Sequence, residues 1–243
     1  MLGIAKKNQT DFIFPWKQGV KLFVILLFLI GVLWFTKSLG EMRRFPIQKV
    51  KIFGIKNTDP QEMQHLLIPL VSQGFFGTDV SSIKERLMQL PWIAQASVRR
   101  VWPGQLNVIL SERRAVANWN NRGLLSSSGE IFNPSIKTYP EGLPKLVGPS
   151  GMHIQMLDYY SKINKVLQPV HVKIARLELT SYQAWNMTFD NGIRVNAGYK
   201  DILTRMSHFV KVYPKIVGER ASDVDYIDLR YENGLAIKWK SIT

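Results

Sequence analysis

The stretch KLFVILLFLIGVLWFTK, residues 21–37, carries no charge between Lys21 and Lys37, and it is too apolar for the surface helix of a soluble fold. Taken from 20 to 39 it is 20 residues long. At about 1.5 Å rise per residue it spans the roughly 30 Å hydrocarbon core, with both lysines reaching out to water. Trp16 and Trp34 then fall near opposite interfaces. The competing reading is a cleaved secretion signal, because the uninterrupted apolar run 22–35 is only 14 residues and Ser38-Leu39-Gly40 offers a small-x-small site. Against it stand the long lead with Phe12, Phe14 and Trp16, and bulky Trp34-Phe35 close to the cut. Lys6, Lys7, Lys17 and Lys21 precede the segment, while Lys37, Arg43, Arg44, Lys49 and Lys51 follow it, so charge leaves the orientation open.

Beyond the segment the pattern turns globular. FPIQKVKIFGI, from residue 45, reads as a short strand ending at Gly54. Asp59 caps a helix with Pro60 at its first position and Met63, Leu66, Leu67 and Leu70 on one face. A second helix over 81–89 places Ile83, Leu87 and Leu90 at helical spacing, and Pro91 stops it. Two strands joined at Pro103-Gly104 follow, giving a β-α-α-β-β unit. Past Asn118 the turns become denser. GLLSSSGEIFNP reads as strand, turn and strand, LPKLVGPSG as a Pro/Gly loop, and a helix runs over about 152–167. The strands KIARLEL and AWNMTFDNGIRVNAG, a helix over 201–217 and the hairpin YIDLRYENGLAIKW complete a mainly antiparallel β unit with two helices, so the fold class is α+β.

Two Asn-Gly turns fix strand register. A two-residue loop would leave the terminal hairpin without a clean buried face, whereas a three-residue loop, Glu232-Asn233-Gly234 with Gly234 at a left-handed bulge position, repairs the pattern. Tyr231 then faces Leu235, Leu229 faces Ile237 and Ile227 faces Trp239, while Asp228 pairs with Lys238 and Arg230 with Ala236. With Asp190-Asn191-Gly192 as the loop of the earlier hairpin, Phe189 meets Ile193, Met187 meets Val195 and Trp185 meets Ala197. A last strand at a sheet edge is either blunted, here by Lys238 and Lys240, or used for strand addition by a partner. Sharing the apolar face, Tyr231 and Trp239 fit a core as well as a binding surface.

No catalytic constellation emerges. The absence of cysteine excludes a disulfide framework, a zinc knuckle and a thiol nucleophile. The four histidines stand singly, GFFGTDVSS lacks the lysine of a phosphate-binding loop, and no G-x-S-x-G elbow occurs. Asp223, Asp225 and Asp228 do not form a metal cluster, since Asp225 and Asp228 fall on opposite faces of a strand. No cofactor, metal or small-molecule substrate is expected. The net charge of +14 divides as +4 over residues 1–39, +5 over 40–117 and +5 over 118–243. So even a spread argues against a nucleic-acid footprint and leaves a cell-wall or anionic-lipid surface open.

Over nearly the whole chain the residues resemble the FtsQ/DivIB family of bacterial cell-division proteins, most closely its Gram-negative FtsQ branch. LPWIAQASVRRVWPGQLNVILSERRAVANW (90–119), GEIFNP, LPKLVGP, RMSHFVKVYP (205–214) and VDYIDLRYENGLAIKW (224–239) carry the resemblance, in family order and spacing. It implies a short cytoplasmic tail (1–19), one transmembrane helix (20–39) of type II orientation in the inner membrane, a periplasmic POTRA domain (45–116) and a β domain (117–243). It also implies a non-catalytic scaffold at the division septum, binding FtsB and FtsL and helping to control septal wall synthesis. FtsB would add a strand at the last β edge. The matching positions are Tyr231 and Trp239, then Arg230 with an acidic partner residue, with Asn233 and Gly234 at the turn. Tyr182 and Tyr199 depart from the family, standing where relatives carry Arg. The alternative is a POTRA-bearing secretion module, or one that binds cell wall or anionic lipid.

Overall fold

The computed structural model describes residues 16–40, 45–231 and 234–240. Helix α1 (Trp16–Gly40) is longer than the apolar segment that nucleates it. Its residues 19–36 have a mean hydropathy of 2.4, bury nothing against the rest of the chain and suit a single membrane crossing by length and composition.

The β-α-α-β-β unit forms as its sequence signals dictate. Strand β1 (Lys49–Phe53) leads to α2 (Pro60–Val71), where the Asp59 side chain accepts from Gln61 N–H and Pro60 takes a position needing no donor. A one-turn helix α3 (Gly74–Gly77) precedes α4 (Val80–Met88), capped by Asp79. Strands β2 (Ile93–Val101) and β3 (Gln105–Glu112) complete a sheet of order β1-β3-β2, with β1 parallel and β2 antiparallel to β3. Its core is Met63 and Leu67 of α2, Ile83 and Leu87 of α4, and the inward Leu106, Val108 and Leu110 of β3.

A nine-stranded sheet follows, built from β4 (Ala115–Trp119), β5 (Gly123–Ser126), β6 (Ile131–Phe132), β7 (Lys145–Val147), β8 (Ile174–Leu179), β9 (Trp185–Phe189), β10 (Arg194–Gly198), β11 (Val224–Asp228) and β12 (Ala236–Trp239). The spatial order is β12-β11-β10-β9-β8-β7-β4-β5-β6. Five of its eight pairings are antiparallel, so the sheet is mainly but not wholly so. The segment expected to be a Pro/Gly loop contains β7, three residues that run parallel to both β4 and β8 and join the two halves of the sheet. Its brevity and its Pro144 and Gly148 flanks hide it from a period-2 search. Helices α5 (His153–Leu167) and α6 (Ile202–Ile216) cover one face, enclosing Met156, Ile163, Leu177, Phe189, Val195, Phe209 and Ile227. Across β8–β10 the other face is polar, carrying Arg176, Glu178, Asn186, Thr188 and Arg194.

The β9–β10 hairpin takes the three-residue loop, with Gly192 at φ +86°; Phe189 N–H donates to Ile193 O, and Phe189 O accepts from Gly192 N–H. Met187 meets Val195, but a bulge at Ala197 moves Trp185 opposite Gly198.

A small third cluster joins the two units. Trp92 packs edge-on to Phe132 at 5.1 Å beside Leu124, and its indole N–H donates to Thr138 Oγ1 at 2.8 Å. Arg113 ties the same seam, donating to the carbonyl of Pro91 and forming an ion pair with Glu130.

Candidate functional site

Strand β12 closes one side of the nine-stranded sheet and, among the described residues, pairs with β11 alone. Lys240 N–H donates to Asp223 O, so peptide groups of even-numbered residues along β12 point at β11. Those of Ile237 and Trp239 project outward, where a further strand would lie.

The register corrects the sequence expectation. Asp228 lies opposite Ala236 rather than Lys238, Ile227 opposite Ile237 rather than Trp239, and Tyr226 opposite Lys238. Each β11 residue thus meets a partner two residues nearer in sequence than a Glu232-Asn233-Gly234 loop would give it, the ladder ends at Asp228–Ala236, and Glu232 and Asn233 themselves lie outside the described residues. The cause sits at the end of β11. There Asp228 accepts from the backbone N–H of Arg230, and Leu229 N–H donates to Asn196 O, so β11 leaves the β12 ladder before reaching Arg230. A slip of two residues keeps every side chain on its face. Ile237 and Trp239 still pack on the core, and Lys238 still faces the polar side, 4.0 Å from Asp225, which also accepts from Arg194. Asp225 and Asp228 accordingly engage different cations, and no cluster of metal-ligating side chains occurs among the described residues.

The anticipated site residues separate into distinct environments. Trp239 is half-buried against the core, with the Arg220 guanidinium 4.1 Å from its ring centroid. Tyr231 is 59% exposed. It lines an open groove of about 620 Å³, in which Leu229, Tyr231 and Leu235 face Arg205, His208 and Val212 of α6; Gly234 borders the same groove. Arg230 is bound within its own chain. Its Nε and Nη2 donate to the buried Asp228 carboxylate at 3.0 and 2.7 Å, and this pair holds the Asp228 carboxyl below the usual carboxylate range. The rest of the guanidinium faces solvent. Asn233 lies outside the described residues.

Sequence reasoning missed the groove wall from α6 and the Arg220 cap on Trp239. The wall could have been found, since RMSHFVKVYP leaves Arg205, His208 and Val212 on a face that α6 does not turn to its own core residues Met206, Phe209 and Tyr213. Nothing local marks Arg220. Tyr182 and Tyr199 are 88% and 67% exposed. The pairings Leu179 with Trp185 and Trp185 with Gly198 place both at the end of the sheet where Arg230 and Tyr231 emerge.

A family model described as "Cell division protein FtsQ/DivIB, C-terminal" matches residues 115–230, and one described as "POTRA domain, FtsQ-type" matches residues 45–113. The chain is similar to "Cell division protein FtsQ" of Coxiella burnetii, 33% identical over 226 residues that cover 93% of each chain. The Shewanella oneidensis protein of the same name is 34% identical over 236 residues, 97% of this chain and 90% of that one. That of Escherichia coli is 31% identical over 206 residues, 82% and 75%.

Proposed function

Because the chain belongs to the FtsQ/DivIB family of bacterial cell division proteins, we propose that it is a non-catalytic scaffold anchored in the inner membrane by α1, type II, with the remaining units in the periplasm at the division septum. It binds FtsB and FtsL, FtsB by adding a strand to β12, and through that complex helps to control septal wall synthesis. The observation that carries this reading is the edge position of β12, with the peptide groups of Ile237 and Trp239 directed outward beside an open groove. Main-chain hydrogen bonds along the edge supply affinity that depends little on partner sequence. Side-chain pockets supply selectivity, with Tyr231 in the groove, Trp239 at the far end of the strand, and Arg230 offered to an acidic residue of the partner on the polar side. Gly234 borders that groove, and Asn233 precedes it in sequence as a further candidate contact.

A pull-down of FtsB by the full chain, run at about 0.1 M and about 1 M salt, tests the proposal, since the screening length falls from roughly 10 to 3 Å between them. A saturable complex that survives the higher salt is expected. Retention of anionic polymer or lipid instead, lost at high salt and with no saturable complex, would support the cell-wall or lipid-binding module.

A further inference from the structure

The β-α-α-β-β unit carries an aromatic cluster that partner binding at β12 leaves unused. Phe45, Phe75, Phe76 and Trp102 stack with ring centroids 5.2–6.0 Å apart. Four touching rings ordinarily mark a core. Here only Phe75 is buried, while Phe45, Phe76 and Trp102 are 45%, 47% and 61% exposed. The backbone builds the patch firmly: Phe75 N–H donates to Phe45 O at 2.7 Å, and Gln48 N–H donates to Gly104 O at 2.8 Å. Gly104 permits that approach, for a Cβ there would stand 2.9 Å from Pro46 O.

Three cations lie at the same end of the sheet. The pairings Lys49 with Gln105, Arg99 with Asn107 and Arg100 with Leu106 put these exposed side chains at the Trp102 end of the sheet. The neighbouring carboxylate, Asp79, caps α4 by accepting from Ser81 and Ser82 and also feels the charge of Arg100, leaving Lys49 and Arg99 on the other face clear of it. Phe45 follows the last residue of α1, Gly40, by five residues, so the chain holds it within about 18 Å of the helix end. The link adds Arg43 and Arg44 in sequence.

We propose that Phe45, Phe76 and Trp102, flanked by Lys49 and Arg99 on one face of the sheet and Arg100 on the other, dock this unit onto the anionic phospholipid headgroups of the membrane that α1 spans. Aromatic rings favour the interfacial layer, basic side chains favour its negative surface, and the short tether makes the contact intramolecular. The inference rests on α1 being a membrane span.

Because the chain has no cysteine, single labels can be placed in the full-length protein. Val101→Cys sits beside Trp102, and Ser111→Cys lies six residues from the Val101 partner Gln105 along β3, about 20 Å from the patch. Each variant, carrying an environment-sensitive dye, is reconstituted in nanodiscs of phosphatidylcholine with or without phosphatidylglycerol and a headgroup-nitroxide lipid. Co-elution with the discs reports insertion of α1 independently of the dye. The expected result is several-fold stronger quenching at position 101 than at 111, dependent on phosphatidylglycerol. It should be abolished by Phe76→Ser with Trp102→Ser, and weakened by Lys49→Glu with Arg100→Glu, at unchanged melting temperature. Equal quenching at the two positions in inserted protein, or quenching indifferent to phosphatidylglycerol, overturns the proposal. Should the aromatic double variant fail to fold, the charge-reversal pair and the two-position comparison still decide.

Discussion

Glu112, the last residue of β3, accepts backbone hydrogen bonds from Lys56, Thr58 and Asn57 at 2.9–3.0 Å, pinning the loop that launches α2. Burial pushes its carboxyl upward, but the bonds from the Thr58 hydroxyl and these backbone groups outweigh it, so it titrates below its ordinary value. A depressed folded value means the stabilisation is whole above the ordinary carboxylate range and is lost as pH falls through the lowered one. Glu112→Ala should therefore cost roughly 1.5–3 kcal/mol at neutral pH and flatten the acid limb of the stability curve, as denaturant melts from pH 7 downward would show. Asp228 carries the same sign, through Arg230. The two aromatic candidates should behave differently. Tyr231→Ala is expected to weaken FtsB binding while shifting stability by less than about 0.5 kcal/mol. Trp239→Ala removes a ring wedged between the core and Arg220, and should cost about 2 kcal/mol as well as binding. If both variants unfold to the same extent, the exposure of Tyr231 has no functional meaning.

Strand β12 allows a sharper test of strand addition. Ile237→Pro deletes an outward-facing N–H and leaves the β11 ladder intact, whereas Ile237→Ala removes the side chain alone. Isothermal titration should find partner binding lost with proline and largely kept with alanine; equal losses would argue for side-chain anchoring only. Strong local signals made most elements readable. The Asp59-Pro60 start of α2, the Gly192 bulge and the amphipathic α5 and α6 lie where their residues predict. What escaped the sequence depends on distant atoms. Strand β7 exists because β4 and β8 flank it, and the β11–β12 register is set by Asp228 turning to Arg230 and Leu229 to Asn196. Of the candidate site, the sheet edge and the apolar side of Trp239 were legible. The groove was not, because α6 supplies half of it from another part of the chain.

At the scale of the molecule, the seam around Trp92 lies with β5 and β6, at the opposite border of the large sheet from β12. Eight strand spacings separate β12 from β6, or about 38 Å, so the tethered unit and the proposed partner edge stand well apart. Trp92 is the largest side chain joining the two cores. Trp92→Ala should cost about 3 kcal/mol and split a single calorimetric transition into two, since each unit keeps its own core. A single transition at unchanged temperature would mean that the seam couples nothing.

The position of β12 in the strand order has a consequence for recognition. Its only described ladder is with β11, which joins β10 in parallel and so depends on α6 to cross over and dock. The edge therefore exists only where α6 has brought β11 beside β10. A partner that adds a strand at β12, as proposed, would thus read the docked arrangement of β10, α6 and β11 and not a short stretch of sequence, so the isolated hairpin peptide should bind far more weakly than the whole chain.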